Sequence, residues 1–157
     1  MENQKVVLIT GASSGIGKET AKMLAEKGYK VYGAARRTER MEDLKKYGII
    51  PVSLDVTNQK SIADTINKIL SEEKTIDILI NNAGYGSFGA LEDIPIEEAK
   101  RQFEVNIFGL AELIKQVLPS MRKQHNGKII NVSSMAAYFG EPNGSWYHAS
   151  KAALDRL

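Results

Sequence analysis

The chain has 157 residues, 43% hydrophobic and 25% charged, with 21 basic and 19 acidic side chains. That is one domain's worth of chain with room for a core, and a formal net charge of +2 excludes nucleic acid and anionic membranes as electrostatically selected partners. The absence of cysteine excludes disulfides, thiolate metal centres and cysteine nucleophiles, and His125 and His148 alone are too few for a multi-histidine metal site.

In chain order, a strand is predicted over residues 5–10, where Val6, Val7, Leu8 and Ile9 follow one another. No basic leader or apolar signal segment precedes it, and no run approaches membrane-spanning length, so a soluble cytoplasmic protein is expected. A helix follows over 16–27, with Thr20, Ala21, Leu24 and Ala25 on one face and Gly28 as its stop. Further strands are predicted over 30–35, 49–54, 76–81 and 128–132. The runs at 5–10, 76–80 and 128–132 are nearly all apolar, the pattern of parallel strands covered on both faces. The stretch 58–73 forms a second helix with Ile62, Ile66, Ile69 and Leu70 as its buried stripe and Thr57 as its N-cap. Residues 96–123 are long enough for two helices or one bent helix, and Asn126-Gly127 turns the chain into the last strand. Strand and helix alternate with short connections, which predicts a doubly wound parallel α/β sheet in a single domain over 1–157.

Between the first strand and first helix lies TGASSGIG, residues 10–17. Gly11, Gly15 and Gly17 are expected to let the backbone turn and approach a pyrophosphate, with the helix N-terminus facing its charge. The spacing is neither G-x-G-x-x-G nor a Walker A loop, since Gly17-Lys18-Glu19 lacks the required G-K-[ST]. Taken by itself the loop also reads as a plain Gly-rich turn. Four more motifs follow it in order. Together they resemble the short-chain dehydrogenase/reductase family over essentially the whole chain.

The resemblance implies a nicotinamide cofactor contacted by Gly11, Ser13, Ser14, Gly15, Ile16 and Gly17. Which nicotinamide cofactor is bound is read at the end of the second strand, where a carboxylate selects NAD and an arginine accommodates the 2′-phosphate of NADP. Here Ala35 occupies the acid's place and Arg36-Arg37 follow, which points to NADP(H), with Arg36 the main contact. Asp55, beside Val56, resembles the family's adenine contact; an Asp opening a helix cap explains it nearly as well. Asn82-Ala83-Gly84 match the family's NNAG turn, with Asn82 read as structural and close to the cofactor.

Tyr147 and Lys151 match YxxxK, and their i, i+4 spacing puts phenol and ammonium on one helix face. A free phenol ionises near pH ~10, so its use as a base at neutral pH requires about 4 kcal/mol of stabilisation, which a nearby lysine charge supplies. Tyr147 would then exchange a proton with the substrate oxygen, and Lys151 would also bind the nicotinamide ribose. The resemblance places the family's serine at Ser134, with Ser133 the more structural neighbour, and makes Asn106 the holder of a relay water. His148 points about 100° from Tyr147 around the helix and is read as incidental; His125 is read as an exposed turn residue. Tyr85, Met135, Phe139 and Trp146 flank the motifs and fit either an apolar pocket or the core.

The expected function is hydride transfer between NADP(H) and a small carbonyl or alcohol substrate. The alternatives are an NAD-dependent dehydrogenase on the same scaffold and a non-catalytic nucleotide-binding regulator. A complete Asn106, Ser134, Tyr147 and Lys151 set argues against the regulator. Leu110, Leu113, Ile114, Val117 and Leu118 form an apolar stripe, and with the family's habit of packing this helix across a two-fold axis they imply a homodimer or homotetramer. The chain stops at Leu157 with Ala152, Ala153, Leu154 and Leu157 still in helical register. The domain is therefore expected to be truncated at its C-terminus and inactive as a fragment.

Overall fold

The computed structural model describes residues 4–157. Five strands, β1 (Val6–Thr10), β2 (Lys30–Ala35), β3 (Ile50–Ser53), β4 (Ile78–Asn81) and β5 (Lys128–Asn131), form one parallel sheet in the order β3-β2-β1-β4-β5. The chain runs outward from β1 to β3, then crosses back to β4. The strand order therefore reverses between β1 and β4, which opens a crevice at their carboxyl ends.

Alternate residues of β1 enter different cores, because successive strand side chains point to opposite faces. Val6 and Leu8 pack with Ile62, Ile66 and Ile69 of helix α2 (Gln59–Glu73) and with Leu113, Val117 and Met121 of α4 (Gly109–Lys123). Val7 and Ile9 pack with Ala21 of α1 (Gly15–Glu26), and with Met41 and Leu44. Those last two lie in a 3₁₀ segment, Thr38–Tyr47, that the sequence reading left without an element. The doubly wound sheet is as expected.

Two expectations are corrected. β5, read as covered on both faces, leaves Ile130 exposed. The N-cap of α2 is Asn58, whose side chain accepts from Ser61 N at 2.9 Å; Thr57 instead donates to Asp55. The stretch 96–123 is, as expected, two helices, α3 (Ile96–Phe103) and α4, joined through a π segment, Glu104–Phe108. Leu113, Val117 and the partly buried Ile114 of the apolar stripe pack into the sheet's own core.

Candidate cofactor and catalytic site

A cleft of about 1050 Å³ runs along the carboxyl ends of the strands, from Arg36 and Arg37 at one end to Tyr147 and Lys151 at the other. Ligand pockets commonly enclose roughly 300–1,000 Å³, so the cleft is large enough for a dinucleotide.

The Gly-rich loop is shaped first by the protein's own chain. A Cβ on Gly11 would lie 2.8 Å from Asn82 Nδ2; one on Gly17 would lie 2.4 Å from that atom and 2.5 Å from the Gly11 carbonyl oxygen. Gly17 therefore has to be small to pack against Asn82 and the Gly11 backbone. Gly15 has φ +56° and no atom within 4 Å of a built Cβ, so it is the open glycine. It begins α1, and the N-cap Ser14 makes no side-chain bond to the first turn. The leading N–H groups of that turn are thus left to meet an anion.

β1 and β4 are laced together at the crevice. Buried Thr10 accepts at Oγ1 from Asn82 N (3.0 Å) and Ala83 N (2.9 Å), while Asn82 Nδ2 donates to the Thr10 carbonyl (3.0 Å). The Asn82 side chain is thereby occupied in structure. Ala83 and Gly84 follow it along the cleft wall.

At the far end Ser13, Ile16, Arg36, Arg37, Asp55 and Val56 share the wall. Asp55 Oδ1 accepts from Thr57 N (2.9 Å) and Thr57 Oγ1 (2.7 Å). Burial pushes the Asp55 carboxyl upward, but the Thr57 bonds and the charges of Arg36 and Arg101 outweigh it and hold it below the usual carboxylate range. A Cβ on Gly109 would lie 2.1 Å from the Val56 carbonyl oxygen, so only glycine lets α4 start against this loop.

The other end is built on α5 (Ser145–Leu154), which carries Tyr147 and Lys151. Lys151 is buried; its Nζ donates to the Val132 carbonyl at 2.9 Å and lies 5.9 Å from the Tyr147 ring centroid. Burial lowers its pKa, because desolvation disfavours an ammonium. Asn106 sits in the π segment, buried, with every polar atom of its amide engaged. Oδ1 accepts from Tyr85 N (3.1 Å), and Nδ2 donates to Tyr85 O (2.9 Å) and Ser150 Oγ (3.0 Å). These contacts answer the cost of a buried amide.

The two serines divide otherwise than expected. Ser134 Oγ accepts from Ala136 N at 3.2 Å and caps the turn Met135–Ala137, whereas Ser133 lines the cleft. His148 is buried and not incidental to the packing: its Nδ1 lies 2.5 Å from the Phe139 carbonyl, tying α5 to the preceding loop. His125 is exposed in a turn with φ +51°, as read. Of the four flanking apolar residues only Tyr85 lines the cleft; Met135 is 73% exposed and lies outside it.

Cleft residues not expected from the sequence include Gly86, Phe88, Glu98, Arg101, Val105 and Val132. Glu98 carried a readable signal, since it precedes Asn106 by two four-residue steps on one helical stretch. The others line the cleft through long-range packing and have no local pattern.

A parallel sheet with a reversal point, a Gly loop opening a helix there, and a tyrosine–lysine pair lining the same cleft define a Rossmann-like α/β protein. The family model for short chain dehydrogenase matches residues 5–157, and the chain belongs to that family. A 3-ketodihydrosphingosine reductase from Bacteroides thetaiotaomicron is 46% identical over 151 residues, spanning 96% of this chain and 55% of that protein. A 3-oxoacyl-[acyl-carrier-protein] reductase from Thermotoga maritima is 36% identical over 96% of this chain and 63% of its own length. Among solved structures, a short-chain dehydrogenase from Streptomyces avermitilis superposes with a TM-score of 0.97 at 39% identity, covering all of this chain and 59% of that one. A metagenomic short-chain oxidoreductase in complex with NADP gives 0.93 at 31% identity, covering 98% and 72%. The chain thus spans little more than half the length of the curated relatives it matches first. No helix among the described residues is long and apolar enough to cross a membrane.

Proposed function

We propose that the intact protein is an NADP(H)-dependent oxidoreductase acting on a carbonyl or alcohol carbon of a small molecule. The observation that carries the reading is a single continuous cleft. It joins a glycine loop at a helix N-terminus and a pair of arginines to a buried lysine beside a tyrosine. The bound nicotinamide supplies or accepts the hydride; the protein supplies binding, orientation and a proton.

The residues present fit such a cofactor. Open Gly15 with the first turn of α1 suits a pyrophosphate, with Gly11, Ser13, Ser14 and Ile16 beside it and Gly17 packed behind. Arg36 and Arg37, with Ala35 in place of an acid, suit a 2′-phosphate. Asp55, Val56, Asn82, Ala83 and Gly84 would line the adenosine side. Tyr147 would hold the proton exchanged with the substrate oxygen. Lys151, with Nζ 5.9 Å from the Tyr147 ring centroid, would place its charge beside that ring. Lys151 would also hold the nicotinamide ribose, and a serine hydroxyl, Ser134 by the family resemblance, would donate to the substrate oxygen. Asn106 would keep Tyr85 and Ser150 in place beside Lys151.

The names of the relatives support starting a substrate screen with 3-keto compounds, both long-chain bases and acyl thioesters. Oxidation of NADPH by the intact protein, followed by absorbance against such a panel, tests the proposal; failure to bind NADPH would overturn it. A cytoplasmic location and a homodimer or homotetramer belong to the same proposal. Light scattering at micromolar concentration tests the assembly.

A further inference from the structure

Beyond the tyrosine and lysine themselves, a row of side chains controls the loop that lies on Tyr147. Glu98, Gln102 and Asn106 recur every four residues through α3 and the π segment, and all three grip residues 85–87. Glu98 Oε1 accepts from Tyr85 Oη (3.0 Å) and Ser87 Oγ (2.5 Å). Gln102 Oε1 accepts from Ser87 N (3.4 Å), and Asn106 holds the Tyr85 backbone at both its N–H and its carbonyl.

The opposite side of the loop rests on the ring of Tyr147. A Cβ on Gly86 would lie 2.8 Å from Tyr147 Cδ2, closer than side chains tolerate. The Phe88 ring lies 5.6 Å from the Tyr147 ring, tilted by 47°. Beyond it, Gly89 N donates to Asn143 O at 2.8 Å and ties the loop to the segment entering α5. The phenol is therefore confined on one side by a loop whose own position rests on α3. Asn106 and Gln102 fix that loop near its start and middle. Glu98 is the partner of both hydroxyls flanking Gly86.

We propose that Glu98 is a positioning residue for Tyr147, acting through Tyr85 and Ser87 to hold Gly86 and Phe88 against the tyrosine ring. The inference rests on the reading of Tyr147 as the proton donor. The Ser87 and Tyr85 bonds hold the Glu98 carboxyl below the usual carboxylate range, which keeps it a charged acceptor at neutral pH. Arg101, one turn along the helix, adds to the same effect.

The test uses the intact protein labelled with ¹³C at tyrosine Cζ, with the Tyr147 resonance assigned by its loss in Tyr147→Phe. Glu98→Ala is expected to displace that resonance, and Ser87→Ala to displace it less in the same direction. Glu98→Gln, which keeps Oε1 as acceptor, is expected to leave it in place. With NADPH and 2,3-butanedione as probe, Glu98→Ala should lower kcat about tenfold while the KM for NADPH is kept, since small misplacements at a reacting group cost this much or more. A Tyr147 resonance indifferent to Glu98→Ala, or disturbed equally by Glu98→Gln, would overturn the assignment. Parental turnover in Tyr147→Phe would instead overturn the proposed chemistry, while the resonance still reports on Glu98 through the alanine variant.

Discussion

Asn82 donates from its side-chain nitrogen to the main-chain carbonyl of Thr10 at 3.0 Å, joining the ends of two strands 72 residues apart in sequence. The same nitrogen is the atom that a side chain on Gly11 or Gly17 would strike. The glycine loop and the turn after β4 are thus one packed unit, and the first prediction follows from it.

Gly17→Ala should destabilise the protein by about 2–3 kcal/mol, because the new carbon meets both Asn82 and the Gly11 backbone in a buried, well-packed place. Gly15→Ala meets no atom, but its φ of +56° is unfavourable for alanine. It should cost about 1 kcal/mol and act mainly on cofactor affinity. Urea denaturation of the two variants measures the difference; equal losses would contradict this division of labour.

Cofactor preference is expected to reside at the end of β2. The intact protein should favour NADPH over NADH, and Ala35→Asp combined with Arg36→Leu should reverse that by roughly 10–100-fold, the worth of a charge-assisted hydrogen bond. Fluorescence titration with both dinucleotides checks it. An unchanged protein that binds NADH as tightly would refute the reading.

Tyr147→Phe should reduce turnover at least about 100-fold with cofactor affinity nearly unaltered, since the phenol is asked only for a proton. Lys151→Ala should damage both, because the ammonium faces the tyrosine and, by proposal, the ribose. Single-turnover kinetics beside equilibrium NADPH binding separate the two effects.

Ser134 and Ser133 offer rival hydroxyls. The Ser134 oxygen accepts from Ala136 N, and this uses a lone pair, leaving its proton free to be donated. Ser134→Ala should therefore lower kcat by about 100-fold, as loss of an oxyanion donor does, and Ser133→Ala by far less. The reverse ranking would transfer the role to the serine that lines the cleft.

Acid stability should depend on Glu73. Lys30 at 2.5 Å and the hydroxyl of buried Tyr32 at 2.6 Å hold its carboxyl below the usual range. A carboxyl lowered on folding stabilises the fold above its unfolded pKa and loses that contribution as pH falls through the folded value. Thermal melts of Glu73→Gln should thus lie below the parent at neutral pH and converge with it in acid. Tyr32→Phe should cost about 1 kcal/mol at neutral pH. A constant gap for Glu73→Gln down to pH ~2 would contradict the linkage.

The order of strands and helices was legible because it rests on local patterns: apolar runs at β1 and β4, a four-residue stripe in α2, and glycines where β1 meets α1. The YxxxK pair was legible for the same reason, since one helix turn sets its geometry. The exposed face of β5 was not, because its apolar run reads like that of a strand covered on both sides. Tertiary structure alone decided that Gly17 is small for the sake of Asn82, that the Asn106 amide is taken by Tyr85 and Ser150, and that Glu98 reaches the loop on Tyr147. Each of these contacts joins residues 11 to 65 positions apart in sequence. Periodicity reports which face of an element is apolar. Which groups meet across the crevice is fixed only when the sheet has brought the strand ends together.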